Sequence, residues 1–267
     1  MLLQITRPMA GQTLYIDALG RMPGVRCEAC LLDDVNQVVK APMRWSLHIV
    51  ENIWPAACPS AKVGRQVVSA QGTSVGAGLW TPAFNMVIGG EATLQVSAEH
   101  NAKVFQAMVN FKVRGNNPSP DAVIERLGGE RSPLSFMAHY LSGLKQFDCL
   151  GMPGLGKRGE VGIMQLCDPA AQPQHRWSWT HNVEAGKALM QRMQGNAKAY
   201  LDQHRIDGVY VNDQSLSDAG VLLREMLQRY LGEVYWQWDE SSQQWRANPP
   251  DAVVDTLLQP KSENGQP

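Results

Sequence analysis

The chain has little of what marks several functional classes. Its 24 basic and 25 acidic side chains leave a formal net charge of −1, so no global field gathers nucleic acid or an anionic membrane. No apolar run approaches the roughly 18 residues of a membrane-spanning helix. The opening MLLQITRPMAGQ lacks the basic segment and apolar core of a secretory signal. Synthesis is therefore expected to end in the cytoplasm, and action in a periplasm would need signal-independent export. Cysteines number five, Cys27, Cys30, Cys58, Cys149 and Cys167. An odd count in a chain long enough to bury its own core speaks against a disulfide framework and predicts mostly reduced thiols. Cys27-Glu28-Ala29-Cys30 is a lone CxxC without the two further ligands of tetrahedral zinc, so neither a metal nor another cofactor is expected. P-loop, HExxH and strand-borne GxGxxG motifs are missing too.

What is present is enough for packed cores. The 267 residues are 44% hydrophobic, and a chain of this length predicts two domains at roughly 150 residues each. From Thr13 to about Val113 the apolar period is two. Phe105, Ala107, Val109, Phe111 and Val113 alternate with polar residues, as do Leu94, Val96 and Ala98, and Met43, Trp45, Leu47 and Ile49. The short polar stretch Glu99–Lys103 predicts a hairpin between the first two sets. Glycine- and serine-rich stretches such as Gly72–Gly78 read as connections. An antiparallel immunoglobulin-like β-sandwich over residues 1–116 follows.

Arg114-Gly-Asn-Asn-Pro-Ser-Pro120 ends that pattern, and the period becomes 3.6. Ser132-Pro133 opens a helix with Leu134, Met137, Ala138, Leu141 and Leu144 on one face. Further helices are expected from Asn182, as N-cap, to His204, and from Ser217 to Leu231. The chain is thus read as α+β, with a mainly helical domain at 121–248 and a polar tail at 249–267.

Three segments of the helical half are not explained by periodicity: Leu141-Ser-Gly-Leu-Lys-Gln-Phe147, Gly162-Ile-Met-Gln-Leu166 and Asn182-Val-Glu-Ala-Gly186. In order and spacing they resemble the lytic transglycosylase and goose-type lysozyme superfamily, whose pattern is Glu-Ser at a helix end, Gly-(Leu/Ile)-Met-Gln, then Asn-(Ile/Val)-x-x-Gly. The resemblance covers about residues 121–245 and is similar to a bacterial branch that often follows a β-sandwich. It implies a lysozyme-like domain acting on the glycan strand of peptidoglycan, with Ser142, Gln146, Gly162, Met164, Gln165, Tyr230 and Trp236 at glycan-binding positions.

Two departures weigh against the reaction. Glycosidic cleavage needs a carboxylic acid kept protonated to donate to the leaving oxygen, and the family's Glu position is Leu141. Tyr230-Leu-Gly-Glu233 stands where the resemblance implies Tyr-Asn-Gly-Gly. The reading is a degenerate lysozyme-like protein without glycosidase activity that binds peptidoglycan or a protein partner in bacterial cell-wall targeting or contact-dependent secretion. One alternative is an active glycosidase with a relocated acid, Glu160 being the best placed; another is an accessory or immunity-type protein that binds a related cell-wall enzyme. Each marked residue also has a plainer role. Leu141 is in phase with the helix core, Gln165 can bond backbone, Asn182 can cap a helix, and Trp177, Trp179, Trp236 and Trp238 can be core or can stack on sugars.

Overall fold

A computed structural model describes residues 1–53, 64–76, 78–167, 171–204, 217–247 and 253–258. In chain order the first nine elements are strands: β1 (Leu2–Arg7), β2 (Thr13–Ile16), β3 (Cys27–Leu32), β4 (Val38–Val39), β5 (Ala41–Ile53), β6 (Gly64–Gly76), β7 (Leu79–Trp80), β8 (Gly90–His100) and β9 (Lys103–Gly115). Helices α1 (Pro120–Arg126), α2 (Pro133–Ser142), α3 (Pro173–Trp177), α4 (Trp179–Leu201) and α5 (Asp218–Tyr230) follow, then β10 (Trp236–Asp239), β11 (Gln244–Ala247) and α6 (Val253–Leu258). The architecture is α+β.

The period-two segments form two sheets, one of order β2-β9-β8-β5-β6, the other β1-β3-β4 with β7 on β3. Pairing is antiparallel except between β2 and β9, which run parallel, so the expectation of a wholly antiparallel arrangement fails at that edge. Inward residues of both sheets, including Leu3, Ala29 and Leu31 with Trp45, Leu47, Leu94 and Phe111, share one apolar cluster. The β8–β9 hairpin turns on Asn101 and Ala102 alone, at φ 50° and 59°, the geometry of a two-residue primed turn that suits strand twist.

Strand β6 corrects the reading of Gly72–Gly78 as a connection, because Gly64 to Gly76 pair with β5 without a register shift. Gly72 is required there. A Cβ would lie 2.1 Å from the Trp80 indole nitrogen, so glycine makes room for the ring. On β3, Cys27 is buried, and Cys30 lies at an offset of three and therefore on the opposite face of the strand. The CxxC therefore cannot bring both sulfurs to one ion. Burial pushes the Cys27 thiol up to about 12. Cys27, Cys30 and Cys149 are free, whereas Cys167 is disulfide-bonded. Three of the five thiols are thus reduced, Cys167 is the exception, and Cys58 lies outside the described residues.

Contacts divide the chain into two compact units, Met1–Val123 with Leu141–Val183, and Ile124–Tyr140 with Glu184–Pro267. Residues 141–183 thus group with the sheets, although they follow α1 in sequence. Side chains show how. A Cβ on Gly115 would fall 2.3 Å from the Phe147 ring, and one on Gly89 2.1 Å from the Trp177 ring. Arg176 reaches the fully buried Glu51 of β5 at 2.5 Å, and Trp179 Nε1 donates to the Ala18 carbonyl at 2.9 Å.

The second unit is built on α4 and α5. Ser217 caps α5 by accepting the Gly220 N–H at 3.2 Å. Glu225, fully buried, accepts the N–H groups of Tyr235 and Trp236 at 2.9 Å each and the Arg229 guanidinium at 2.6 Å. These bonds position the β10–β11 hairpin. Part of the expected polar tail is the helix α6, whose Asp255 accepts from Arg224 and from the Tyr235 hydroxyl; residues 259–267 lie outside the described residues. No helix among the described residues is long and apolar enough to cross a membrane.

Candidate functional site

The three motif segments are joined by side-chain amides. Helix α2 ends at Ser142, and Gly143 and Leu144, at φ 61° and 62°, turn the chain sharply. Beyond Lys145, the backbone N–H groups of Gln146 and Phe147 both donate to Asn117 Oδ1 at 2.8 Å, while Asn117 Nδ2 donates to the Phe147 carbonyl at 2.9 Å. Gln146 is 0% exposed. Its Nε2 donates to the carbonyls of His175 and Arg176 at 3.0 and 2.9 Å, and its Oε1 accepts the Ile163 N–H at 3.2 Å.

Asn182 completes the arrangement from the other side. It is also 0% exposed, takes the Met164 N–H on Oδ1 at 2.8 Å, and donates from Nδ2 to the carbonyls of Val161 and His175. Helix α4 begins at Trp179, four positions before the Val183 start that an Asn182 cap would give, so Asn182 lies within the first turn and its side chain serves the loop instead. Ser142 Oγ donates to the Ile163 carbonyl at 2.8 Å. The loop 161–164 is thereby held by Ser142 and Gln146 from the motif before it and by Asn182 from the motif after it.

Gly162 is the point on which the amides close. Its φ is 73°, and a Cβ would lie 2.5 Å from Asn182 Nδ2 and 2.6 Å from the Gln146 amide. Both conditions select glycine. Next to it Gln165, at φ 46°, donates from Nε2 to the Gly162 carbonyl at 2.7 Å. The side chains of Gln165 and Glu160 lie over Gly156, whose Cβ would come within 2.0 and 2.6 Å of their oxygens.

This burial corrects several sequence expectations. Gln146 spends both amide hydrogens internally, Met164 is 0% exposed, and Gly162 is buried, so none of the three presents a group to a sugar. Trp236 is 3% exposed and donates from Nε1 to the Val221 carbonyl at 3.1 Å. Trp177 and Trp179 are buried as well. Tyr230, in the last turn of α5, is partly buried, and burial pushes its hydroxyl upward. Leu141, Ser142 and Gln165 are partly exposed. Tyr230 and Trp236 belong to the second unit and the other site residues to the first.

Glu160 is held as an ion. Burial raises its pKa, but the Arg158 guanidinium at 2.6 Å and the Arg158 N–H at 2.8 Å outweigh it and hold the carboxyl below the ordinary glutamate range. A general acid at neutral pH needs the opposite shift. Among the described residues no group of three or more His, Cys, Asp or Glu side chains could hold a metal ion.

Residues that sequence reasoning missed carry much of this structure. Asn117 stood in the segment read only as a boundary, Glu225 in a helix read only for its apolar stripe, and the Glu51–Arg176 pair spans 125 positions. Local spacing holds no signal for the last of these. No family model, no curated protein and no solved structure matches the chain.

Proposed function

We propose that the chain is a lysozyme-like protein without glycosidase chemistry that binds peptidoglycan rather than cutting it, with its N-terminal sheets as an immunoglobulin-like sandwich and its later helices as the remnant of the enzyme domain. The observation that carries this reading is the end of α2. Ser142 still bonds the Gly162–Gln165 loop through Ile163, while the preceding side chain, where the resemblance requires an acid, is the alkyl group of Leu141. Loss of a general acid costs about 10²–10⁴-fold in rate. Glu160, the carboxylate nearest that loop in sequence, is held ionised by Arg158, so it does not replace the acid. The buried amide network supports retention of a scaffold whose shape, not whose reactivity, is in use.

The test is digestion of purified peptidoglycan by the wild type, Leu141→Glu and Glu160→Gln, with product analysis and co-sedimentation on the insoluble polymer. The expected result is no soluble product from the wild type or from Glu160→Gln, and co-sedimentation of both. Wild-type products abolished by Glu160→Gln would overturn the non-catalytic reading, and failure to co-sediment would overturn the binding one.

A further inference from the structure

The solvent face of the five-stranded sheet carries an open groove of about 810 Å³ lined from β5, β6, β8 and β9. Strand registers set two transverse rows of side chains across it, Gln71–Ser46–Gln95–Met108 and Thr73–Arg44–Ser97–Gln106. With neighbouring strands about 4.8 Å apart, each row spans about 14 Å.

A polar outer face is ordinary for an antiparallel sheet; what distinguishes these rows is how little of their hydrogen-bonding capacity is spent. In the adjoining row Ser69–His48–Thr93–Asn110, His48 bonds Ser69 at 2.7 Å and Ser46 at 2.8 Å, and Thr93 donates to Asn110 at 2.9 Å. In the Arg44 row, by contrast, the side chains of Thr73, Arg44, Ser97 and Gln106 make no hydrogen bond or ion pair among the described residues, and neither does Gln71. Arg44 is exposed and has no compensating carboxylate among the described residues. The groove lining holds no acidic side chain. On the same face Glu91 is taken by Arg114 at 2.5 Å, and Glu99 forms no ion pair among the described residues.

We propose that this groove binds a carboxylated oligosaccharide, with Arg44 on the acid group and the flanking amides and hydroxyls on the sugar hydroxyls. A guanidinium takes a carboxylate through two parallel bonds. Side-chain amides and hydroxyls both donate and accept, which matches a ligand whose hydroxyls do the same. Peptide recognition relies on apolar anchors, aromatic-lined grooves or arginine clusters. Here the apolar side chain reaching solvent from the two rows is Met108, 62% exposed, and the Trp45 ring is buried on the other face. Arg44 is the one cation among the groove-lining residues, too few for a nucleic-acid backbone, where affinity grows with each neutralised phosphate. The proposal deepens the peptidoglycan-binding reading by placing the glycan contact on the sheet, and rests on that reading for the polymer concerned.

The experiment is calorimetric titration of the full chain with a GlcNAc–MurNAc tetrasaccharide, with chitotetraose, which lacks the lactyl carboxylates, and with polyglutamate. Saturable binding of the first is expected, at least about fivefold tighter than chitotetraose, with no binding of polyglutamate. Arg44→Gln should weaken the tetrasaccharide about tenfold, to the chitotetraose level, and Arg44→Lys should recover part of the loss; both should melt like the wild type. Equal affinity in Arg44→Gln, or preference for polyglutamate, would overturn the groove assignment. If that happens while the wild type and Arg44→Gln co-sediment equally with insoluble peptidoglycan, the groove fails and the broader reading stands; if the wild type neither titrates nor sediments, both fail.

Discussion

Asn182 Oδ1 accepts the backbone N–H of Met164 at 2.8 Å, and through this bond the first turn of α4 fixes the 161–164 loop. Removing the amide takes the side-chain acceptor from the buried Met164 N–H and one of two donors from each of the carbonyls of Val161 and His175, which keep the Leu166 N–H and Gln146 Nε2. Each unsatisfied buried group costs about 1–3 kcal/mol. Asn182→Ala should therefore destabilise the protein by about 2–4 kcal/mol in urea denaturation, against about 1 kcal/mol for Ser142→Ala. A change in Asn182→Ala no larger than that in Ser142→Ala would refute the scaffold role.

Two glycines separate backbone strain from crowding. Gly143 and Gly162 have similar positive φ, 61° and 73°, but a Cβ on Gly143 meets nothing within 4 Å, whereas on Gly162 it meets the amides of Asn182 and Gln146. Gly143→Ala should cost about 1 kcal/mol from conformation alone. Gly162→Ala should exceed it by about 2 kcal/mol or more, because buried amides that hold the loop must move. Thermal melts of the two variants side by side give the comparison, and equal shifts would show that the amides yield without loss.

The sheet was legible where burial imposes alternation: Met43, Trp45, Leu47 and Ile49 are all buried, as are Phe111 and Val113. It was illegible at β6, an edge strand whose serines, threonine and glycines carry no two-fold apolar pattern and whose Gly72 answers to Trp80, a residue eight positions on. The helices α2 and α5 start where Ser132-Pro133 and Ser217 predict, since caps act locally. At the candidate site the residue types were found but their roles were inverted. Gln146, Met164 and Trp236 are spaced like ligand contacts and packed like core, and spacing alone does not distinguish an amide aimed at a sugar from one aimed at His175.

Glu160 carries a pH signature. Its folded pKa lies below the ordinary value, so its stabilisation is full above the unfolded pKa, about 4.3, and is lost as pH falls through the depressed folded value. Arg158 is 63% exposed, which limits the pair to about 0.5–1 kcal/mol. Glu160→Gln should be less stable than the wild type by that amount at pH 7, and the gap should close in acid below about pH 4. Carboxyl NMR titration of Glu160 checks the premise directly. A midpoint above the ordinary range would instead fit a general acid and restore the catalytic alternative.

Glu225 offers the sharpest test of the second unit. Its carboxylate takes two backbone N–H groups on one oxygen and Arg229 on the other, with 0% exposure. Glu225→Gln keeps volume but has a single acceptor oxygen, so either the N–H groups of Tyr235 and Trp236 or the Arg229 guanidinium face an amide NH₂. Breaking a buried pair from one side costs about 3–5 kcal/mol. The loss should concentrate where those N–H groups hold the chain, so hydrogen exchange at Tyr235 and Trp236 should accelerate well beyond that in β8 and β9. Arg229→Met, which removes the cation but leaves the carboxylate its two N–H donors, should spare the hairpin more than Glu225→Gln does. Equal exchange at the hairpin in the two variants would mean that the ion pair, not the backbone bonds, fixes β10 and β11.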